Sequence, residues 1–380
     1  MKEIIKVEIK RILGFKYFLM MIGLVLLYSI SSSISALNQY DVYDSSNQRI
    51  LSARENLRES KKHMFALDEE IIKDTVSRKD TSPYLYNRLV SVLIAANYDV
   101  YVEDLTEEEI ELFYDRWIAT ASLNFLGVSP QKDLKAMENK AASIPLPITL
   151  GYAEGWKNVN DRMVDIVTLI VLITPFLIIP LFAKDPKTNM AELYTATKHG
   201  KKELTIARTI AGFTIGSIIY VTILSIFTIT KLLFLGFKGA NLPIQNSLHY
   251  FFSPINLTYF QQFLWNACIG WMALLVIIAL ALFVSVVSKK VLTAALILVF
   301  IIAIMILTPM SFNFNYYIGN FLPHNMTNFS HYYVKPYIYN IFGNSFLLHH
   351  IVILVSIGLV TVFTALTTCI SLRSLKQPLK

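Results

Sequence analysis

The stretch FLWNACIGWMALLVIIALALFVSVVSKKVLTAALILVFIIAIMILTPM, residues Phe263–Met310, decides the fold. It holds two apolar runs, Phe263–Val287 and Val291–Met310, with Lys289 and Lys290 as the only charges between them. A bilayer core of roughly 30 Å is crossed by about 20 apolar residues in a helix. Working outward, Tyr17–Leu37, Met163–Ala183, Thr209–Phe237 and Leu347–Leu372 have the same character. Lipid offers no hydrogen bonds to an open backbone, so each run is expected to be helical. Lys231, near the end of the third of the six runs, is expected to snorkel toward headgroups. The fold class expected is an all-α polytopic membrane protein with six transmembrane helices.

Composition agrees. Hydrophobic residues make up 54% and charged ones 16%, against about a quarter charged in soluble domains. The last acidic residue is Glu203, while residues 38–162 are normally charged. The chain therefore divides into an interfacial helix at 1–16, a first span at 17–37 and an extracellular domain at 38–162. Five further spans lie within 163–372, with a cytoplasmic loop at 184–208 and an outer hairpin at 311–346, before a cytoplasmic tail at 373–380. Cys268 and Cys369 fall inside apolar runs, so no structural disulfide is expected.

Orientation follows the excess of Lys and Arg in cytoplasmic loops. Lys2, Lys6, Lys10, Arg11 and Lys16 precede the first span, and Lys184, Lys187, Lys198, Lys201, Lys202 and Arg208 follow the second. Lys289 and Lys290, then Arg373, Lys376 and Lys380, fall on the same side of a six-span chain. Both termini are thus expected in the cytoplasm of a multi-pass cell-membrane protein. A secretory signal peptide is the rival reading of the N-terminus, but Glu3 and Glu8 and the length of the basic region disfavour it. Ile4, Ile5, Ile9, Ile12 and Leu13 instead make an amphipathic helix, its apolar face in lipid and its lysines near anionic headgroups.

The extracellular segment reads as mainly helical. Thr106 with Glu109 forms a capping box, and Ser129-Pro130 marks a second helix start. Ile110, Phe113, Trp117 and Ile118 recur at helical spacing. From residue 37 to 162 there are 15 Lys and Arg against 21 Asp and Glu. That negative charge either keeps the segment soluble or attracts cationic substrates such as basic antimicrobial peptides. Tyr152 and Trp156 suit an interfacial belt where the chain re-enters the membrane.

Chemistry is conspicuously missing. There is no phosphate-binding loop and no His-Glu-x-x-His. His349 and His350 are adjacent, cannot share a helix face and have no carboxylate nearby in sequence, so no metal site is assigned. Ion-coupled carriers place Asp or Glu within the membrane, and here only Asp165, at the start of the second span, qualifies. No catalytic residue, cofactor or nucleic-acid partner is expected in this chain. Transport, if it occurs, takes its energy from elsewhere.

The stretch PLFAKDPKTNMAELYTATKHGKKELTIARTIAGF, Pro180–Phe213, resembles the cytoplasmic signature of type-2 ATP-binding-cassette (ABC) exporter permeases. In that pattern an acidic residue follows an apolar helix end, then come Leu-x-x-Thr, a glycine, basic residues and an Ala-Arg entering the next span. Asp185, Leu193, Thr197, Gly200, Lys201 and Arg208 stand in those places. The family more often has Glu at the acidic position and a glycine shortly after it, where this chain has Asp185 and Asn189. The large insertion at 38–162 looks like Gram-positive permeases linked to peptide export or immunity. The resemblance implies a second permease subunit, the same chain or a related one, and a dimer of ATP-binding subunits that hold ATP and Mg. It also implies coupling through Asp185, Met190, Glu192, Leu193, Tyr194, Thr197, Gly200 and Lys201.

Within the membrane, Pro175 and Pro180 are candidate hinges or static kinks, because each removes a backbone hydrogen bond. Gly212 and Gly216 permit close helix packing. Residues 311–346 hold twelve Phe and Tyr. Phe312, Phe314, Tyr316, Tyr332 and Tyr333 are candidates for an outer gate, with an interfacial belt as the plainer alternative. A competing function class is a membrane sensor or immunity protein that captures a peptide without moving it.

Overall fold

The computed structural model describes residues 2–12, 15–38, 42–43, 49–51, 61–62, 64–76, 105–183, 200–288, 290–307 and 311–374. The helices are α1 (Lys2–Ile12), α2 (Phe15–Asn38), α3 (Glu69–Val76), α4 (Glu107–Glu111), α5 (Phe113–Leu123), α6 (Pro130–Ala141) and α7 (Glu154–Ile178). They continue as α8 (Gly200–Leu235), α9 (Tyr259–Ser288), α10 (Val291–Leu307), α11 (Phe312–Tyr317), α12 (Pro323–Met326) and α13 (Leu348–Ser374). Three antiparallel strand pairs interrupt them: β1 (Val42–Tyr43) with β2 (Arg49–Leu51), β3 (Met64–Ala66) with β4 (Thr149–Gly151), and β5 (Ile338–Ile341) with β6 (Asn344–Leu347).

Five helices are long and apolar enough to cross a membrane, over Leu19–Asn38, Glu154–Leu181, Lys202–Leu235, Tyr259–Ser288 and Leu348–Arg373. The coarse reading of a mostly helical, multi-pass chain is met. The sixth run is helical over Val291–Leu307, which at 1.5 Å per residue rises about 26 Å. Two boundaries differ from the sequence reading. Helix α7 begins at Glu154, nine residues before the apolar run, because charged residues take up its first turns. Helix α8 begins at Gly200, so residues 200–208 continue a span where a loop was expected.

Helix α9 lies at the centre and packs against α7, α8, α10 and α13; α8 packs in turn against α1, α2 and α7. Helices in lipid gain little from burying one apolar surface against another, so small residues that allow close approach matter more. Helix α2 meets α8 through Val25, Ser29, Ser33 and Ala36, a stripe at helical spacing. Ser29 and Ser33 donate to carbonyls one turn back, each at 2.6 Å, and so carry no unmet hydroxyl into the bundle. Helix α10 buries only Ala294, Leu298 and Ile302, every fourth residue, and leaves its other faces open.

One end of the bundle carries a folded layer. Ile110, Phe113 and Trp117 are buried with Leu67, Ile72, Ile148 and Leu150, as the helical spacing required, and Ile118 packs beside them. Thr106 and Glu109 make the expected capping box, with Thr106 N–H donating to the Glu109 carboxylate at 2.9 Å. At α6 the helix starts at Pro130, but the cap is Asp133, which accepts from Ser129 N–H at 2.9 Å. The layer extends beyond residues 105–151. Trp117 Nε1 donates to Phe251 O at 3.1 Å, Leu126 N–H to Pro336 O at 3.0 Å, and Asn340 Nδ2 to Asp133 Oδ1 at 2.7 Å. The α8–α9 connection and the hairpin at 311–347 are therefore parts of one layer with the segment before α7.

Candidate functional site

At the opposite end of the bundle, residues 184–199 leave α7 and return at α8. Asp185, Met190, Glu192, Leu193, Tyr194 and Thr197 lie outside the described residues. Gly200, expected to break an apolar face, is instead the first residue of α8, and the backbone of Lys201 continues that helix. The two points where the segment meets the bundle are tied down by polar side chains (here called the loop end).

The departing side is built around Pro180. Proline has no N–H, so the regular turns of α7 stop at Ile178 and tighten into a 3-10 turn over Ile179–Leu181. Ser285 of α9 bridges this turn, donating to Ile179 O at 2.5 Å and accepting from Ala183 N–H at 2.8 Å. Pro175 lies inside α7 and is buried. The glycines stand where the sequence placed them, at close approaches. A Cβ on Gly212 would meet Leu181, Ile178 and Leu282 at 3.2–3.3 Å, and one on Gly216 would lie 2.2 Å from Ile278 Cδ1.

On the returning side, Arg208 Nε meets Glu8 Oε1 at 3.1 Å, with the two side chains 10% and 7% exposed. The guanidinium also sits 5.8 Å from the centre of the Phe182 ring. One turn earlier, Thr205 and Ser371 hydroxyls are 2.9 Å apart, joining α8 to α13. Helix α1 thus differs from the lipid-facing element expected. Ile9 and Ile12 pack against the bundle, and Glu8 is drawn inward by Arg208. Sequence gave Arg208 a place in a pattern but no partner, since its partner lies 200 residues away.

The gate candidates are inside the layer. Tyr332 and Tyr333 are 1% and 0% exposed. Tyr333 OH donates to Asn266 Oδ1 at 2.8 Å, and Asn266 Nδ2 to Asn160 Oδ1 at 3.2 Å. Asn160 Nδ2 in turn reaches Tyr259 O at 3.1 Å, so a buried polar chain crosses from the hairpin through α9 to α7. Tyr316 is buried and stacks on Tyr339 at 4.4 Å between ring centres, its OH donating to Ile338 O at 2.8 Å. Phe314 is half-buried, and Phe312 opens α11. Among the described residues of the hairpin, the exposed aromatics are Tyr317, Phe342 and Phe346, none of them a gate candidate. Burial raises the Tyr332, Tyr333 and Tyr339 hydroxyls well above their ordinary value and lowers the His324 and His331 imidazoles. These groups stay neutral near pH 7 and act as hydrogen-bonding and packing groups.

Tyr152 and Trp156 also serve the layer, as packing and as anchors. Tyr152 OH donates to Leu235 O, and Trp156 Nε1 to Phe237 O at 3.0 Å. Lys231 departs from expectation: its side chain is fully buried, with Nζ donating to Asn158 Oδ1 at 2.8 Å rather than reaching headgroups. The amide oxygen of Asn158, on the neighbouring helix, supplies the acceptor. Among the described residues no group of three or more His, Cys, Asp or Glu stands close enough to hold a metal.

No protein-family model matches the chain, and no curated protein and no solved structure is detectably similar to it.

Proposed function

We propose that the chain is the membrane-spanning permease subunit of an ATP-driven exporter of the ABC type-2 kind, moving a peptide or another amphipathic compound outward. Its ATP and Mg are held by a separate pair of ATP-binding subunits, and a second permease subunit completes the pore. The loop end faces the cytoplasm with both termini, and the layer faces outside. The observation that carries this reading is the tying of both ends of the 184–199 segment to three further helices. Ser285 fixes its departure to α9, Arg208 fixes its return to α1, and Thr205 fixes the same turn to α13. A load applied to such a segment is delivered to the bundle rather than absorbed by a slack loop. The Gly212 and Gly216 seam packs α8 closely against α7 and α9.

A pull-down of the tagged protein from native membranes, with an ATP hydrolysis assay, tests this. An ATP-binding chain should come along, and Glu192→Ala with Leu193→Ala should release it. Purification of the chain alone under gentle extraction sinks the proposal.

A second reading, capture of a peptide without transport, has its own observation. The layer holds a cavity of about 640 Å³ between Met64, Pro145, Pro147 and the 237–243 and 256–258 segments, within the range of small-ligand pockets. Peptide resistance that survives a catalytic mutation in the ATPase partner favours capture; its loss favours export.

A further inference from the structure

Between α2, α7 and α8, at the layer end, lies a cavity of about 240 Å³ whose wall is one face of α7. Glu154, Lys157, Asn158, Asp161 and Arg162 all line it, at the three- and four-residue spacing that stacks side chains along a helix. Ala36 and Leu235 close the other sides. So polar a recess among apolar helices needs an explanation, because charges beside lipid are costly unless paired.

Most are paired. Lys157 lies 3.5 Å from Glu154, Arg162 lies 3.8 Å from Asp165, Tyr28 donates to Asp165, and Lys231 donates to Asn158. Asp161 is the exception. Among the described residues its carboxylate has no hydrogen-bond donor and no cation within 4.0 Å. Arg162 meanwhile uses one end of a guanidinium that has five donors. The recess thus offers a carboxylate that Lys157 and Arg162 attract but do not hydrogen-bond and, one residue away, spare donors for an anion. Among the residues that line it, Lys157 and Arg162 balance Glu154 and Asp161 in charge. A ligand carrying a net charge would upset that balance, and one carrying both signs would not. The volume is below that of drug-sized pockets and equals that of about eight waters at ~30 Å³ each.

We propose that this cavity binds a small zwitterion, a primary ammonium joined to a phosphate or carboxylate, with Asp161 taking the ammonium and Arg162 and Lys157 the anion. Such a ligand arrives either as the headgroup of an aminophospholipid in the adjoining leaflet or as a free solute. The site is separate from the loop end and does not depend on the exporter reading.

The test uses the full chain in detergent, by native mass spectrometry with equal loads of phosphatidylethanolamine and phosphatidylglycerol, with and without free O-phosphoethanolamine. Wild type should retain phosphatidylethanolamine in preference. Asp161→Asn should lose that preference by about tenfold, the effect of one charge-assisted hydrogen bond, and Asp161→Glu should restore most of it. If free O-phosphoethanolamine displaces the lipid, the site takes either source; if it does not, the ligand is lipid-borne. Equal retention of both lipids by wild type with no binding of the free solute overturns the proposal. So does an Asp161→Asn chain of wild-type melting temperature that keeps the preference. Should that variant fail to fold, the wild-type preference and the Asp161→Glu chain still decide.

Discussion

The two ends of the helix bundle are fastened to different degrees. At the layer end, Tyr152 holds Leu235 O, Trp156 holds Phe237 O and Asn160 holds Tyr259 O, and side chains also pair, Lys231 with Asn158, Tyr333 with Asn266 and Asn340 with Asp133. At the loop end, two of the fastenings join side chain to side chain, Glu8 with Arg208 and Thr205 with Ser371. With more cross-links among the described residues, the layer end is expected to hold its geometry and the loop end to be the one that changes.

The largest expected effects are equal in size and lie at opposite ends. Trp117→Ala removes a buried ring from the layer and should cost about 3–5 kcal/mol in reversible unfolding, with ATP-linked activity of the surviving folded protein unchanged. Arg208→Ala leaves Glu8 charged and buried and should cost about 3–5 kcal/mol as well, but here ATP-linked activity should fall with it. Adding Glu8→Leu to an Arg208→Met background should recover most of the stability and none of the activity. Recovery of both would make the pair merely structural. Equal loss of activity in the two single variants would erase the distinction between the ends.

A smaller effect is expected at the seam. Gly216→Leu forces Ile278 aside and should cost about 1–3 kcal/mol as overpacking, measured as a lowered melting temperature; no change would mean that α8 and α9 have room to spare. At the tip of the β5–β6 hairpin, Phe342 has φ 47° and is fully exposed. Left-handed backbone costs a residue with a bulky side chain roughly 1–2 kcal/mol, so Phe342→Asn should stabilise the layer by about 1 kcal/mol. A loss instead would show that the ring has a partner.

The smallest effect is a pH dependence. Burial lowers the His331 imidazole in the folded layer, so the unfolded chain binds a proton first as pH drops below about 6.5. Stability should therefore be full above that value and decline as pH falls from it toward the depressed folded value. His331→Gln should reduce that slope, leaving the share due to His324, whose imidazole burial also lowers, and an unchanged slope would remove His331 as a source.

Local patterns were legible in the sequence and distant pairings were not. The long apolar helices, the buried face through Ile110, Phe113 and Trp117, the Thr106 capping box and the close approaches at Gly212 and Gly216 follow from spacing alone. Lys231 was misread because a lysine near a helix end usually reaches out, and nothing in the sequence placed Asn158 beside it. The Glu8–Arg208 tie and the Asn160–Asn266–Tyr333 chain join residues far apart in sequence, and their polar types could as well have faced water. The tyrosines of the hairpin read as a surface belt because composition does not distinguish an aromatic that faces lipid from one that hydrogen-bonds inside a layer. Residues 184–199 carry most of the coupling pattern and lie outside what the structure describes, so that part of the site stands on sequence.

The central claim is that the loop end moves while the layer end holds. Hydrogen exchange measured by mass spectrometry on the membrane complex, with and without a non-hydrolysable ATP analogue, addresses it directly. The account predicts altered exchange in residues 2–12 and 200–210 and unchanged exchange in residues 105–151. Altered exchange confined to the layer, or none at either end with nucleotide bound, would contradict it.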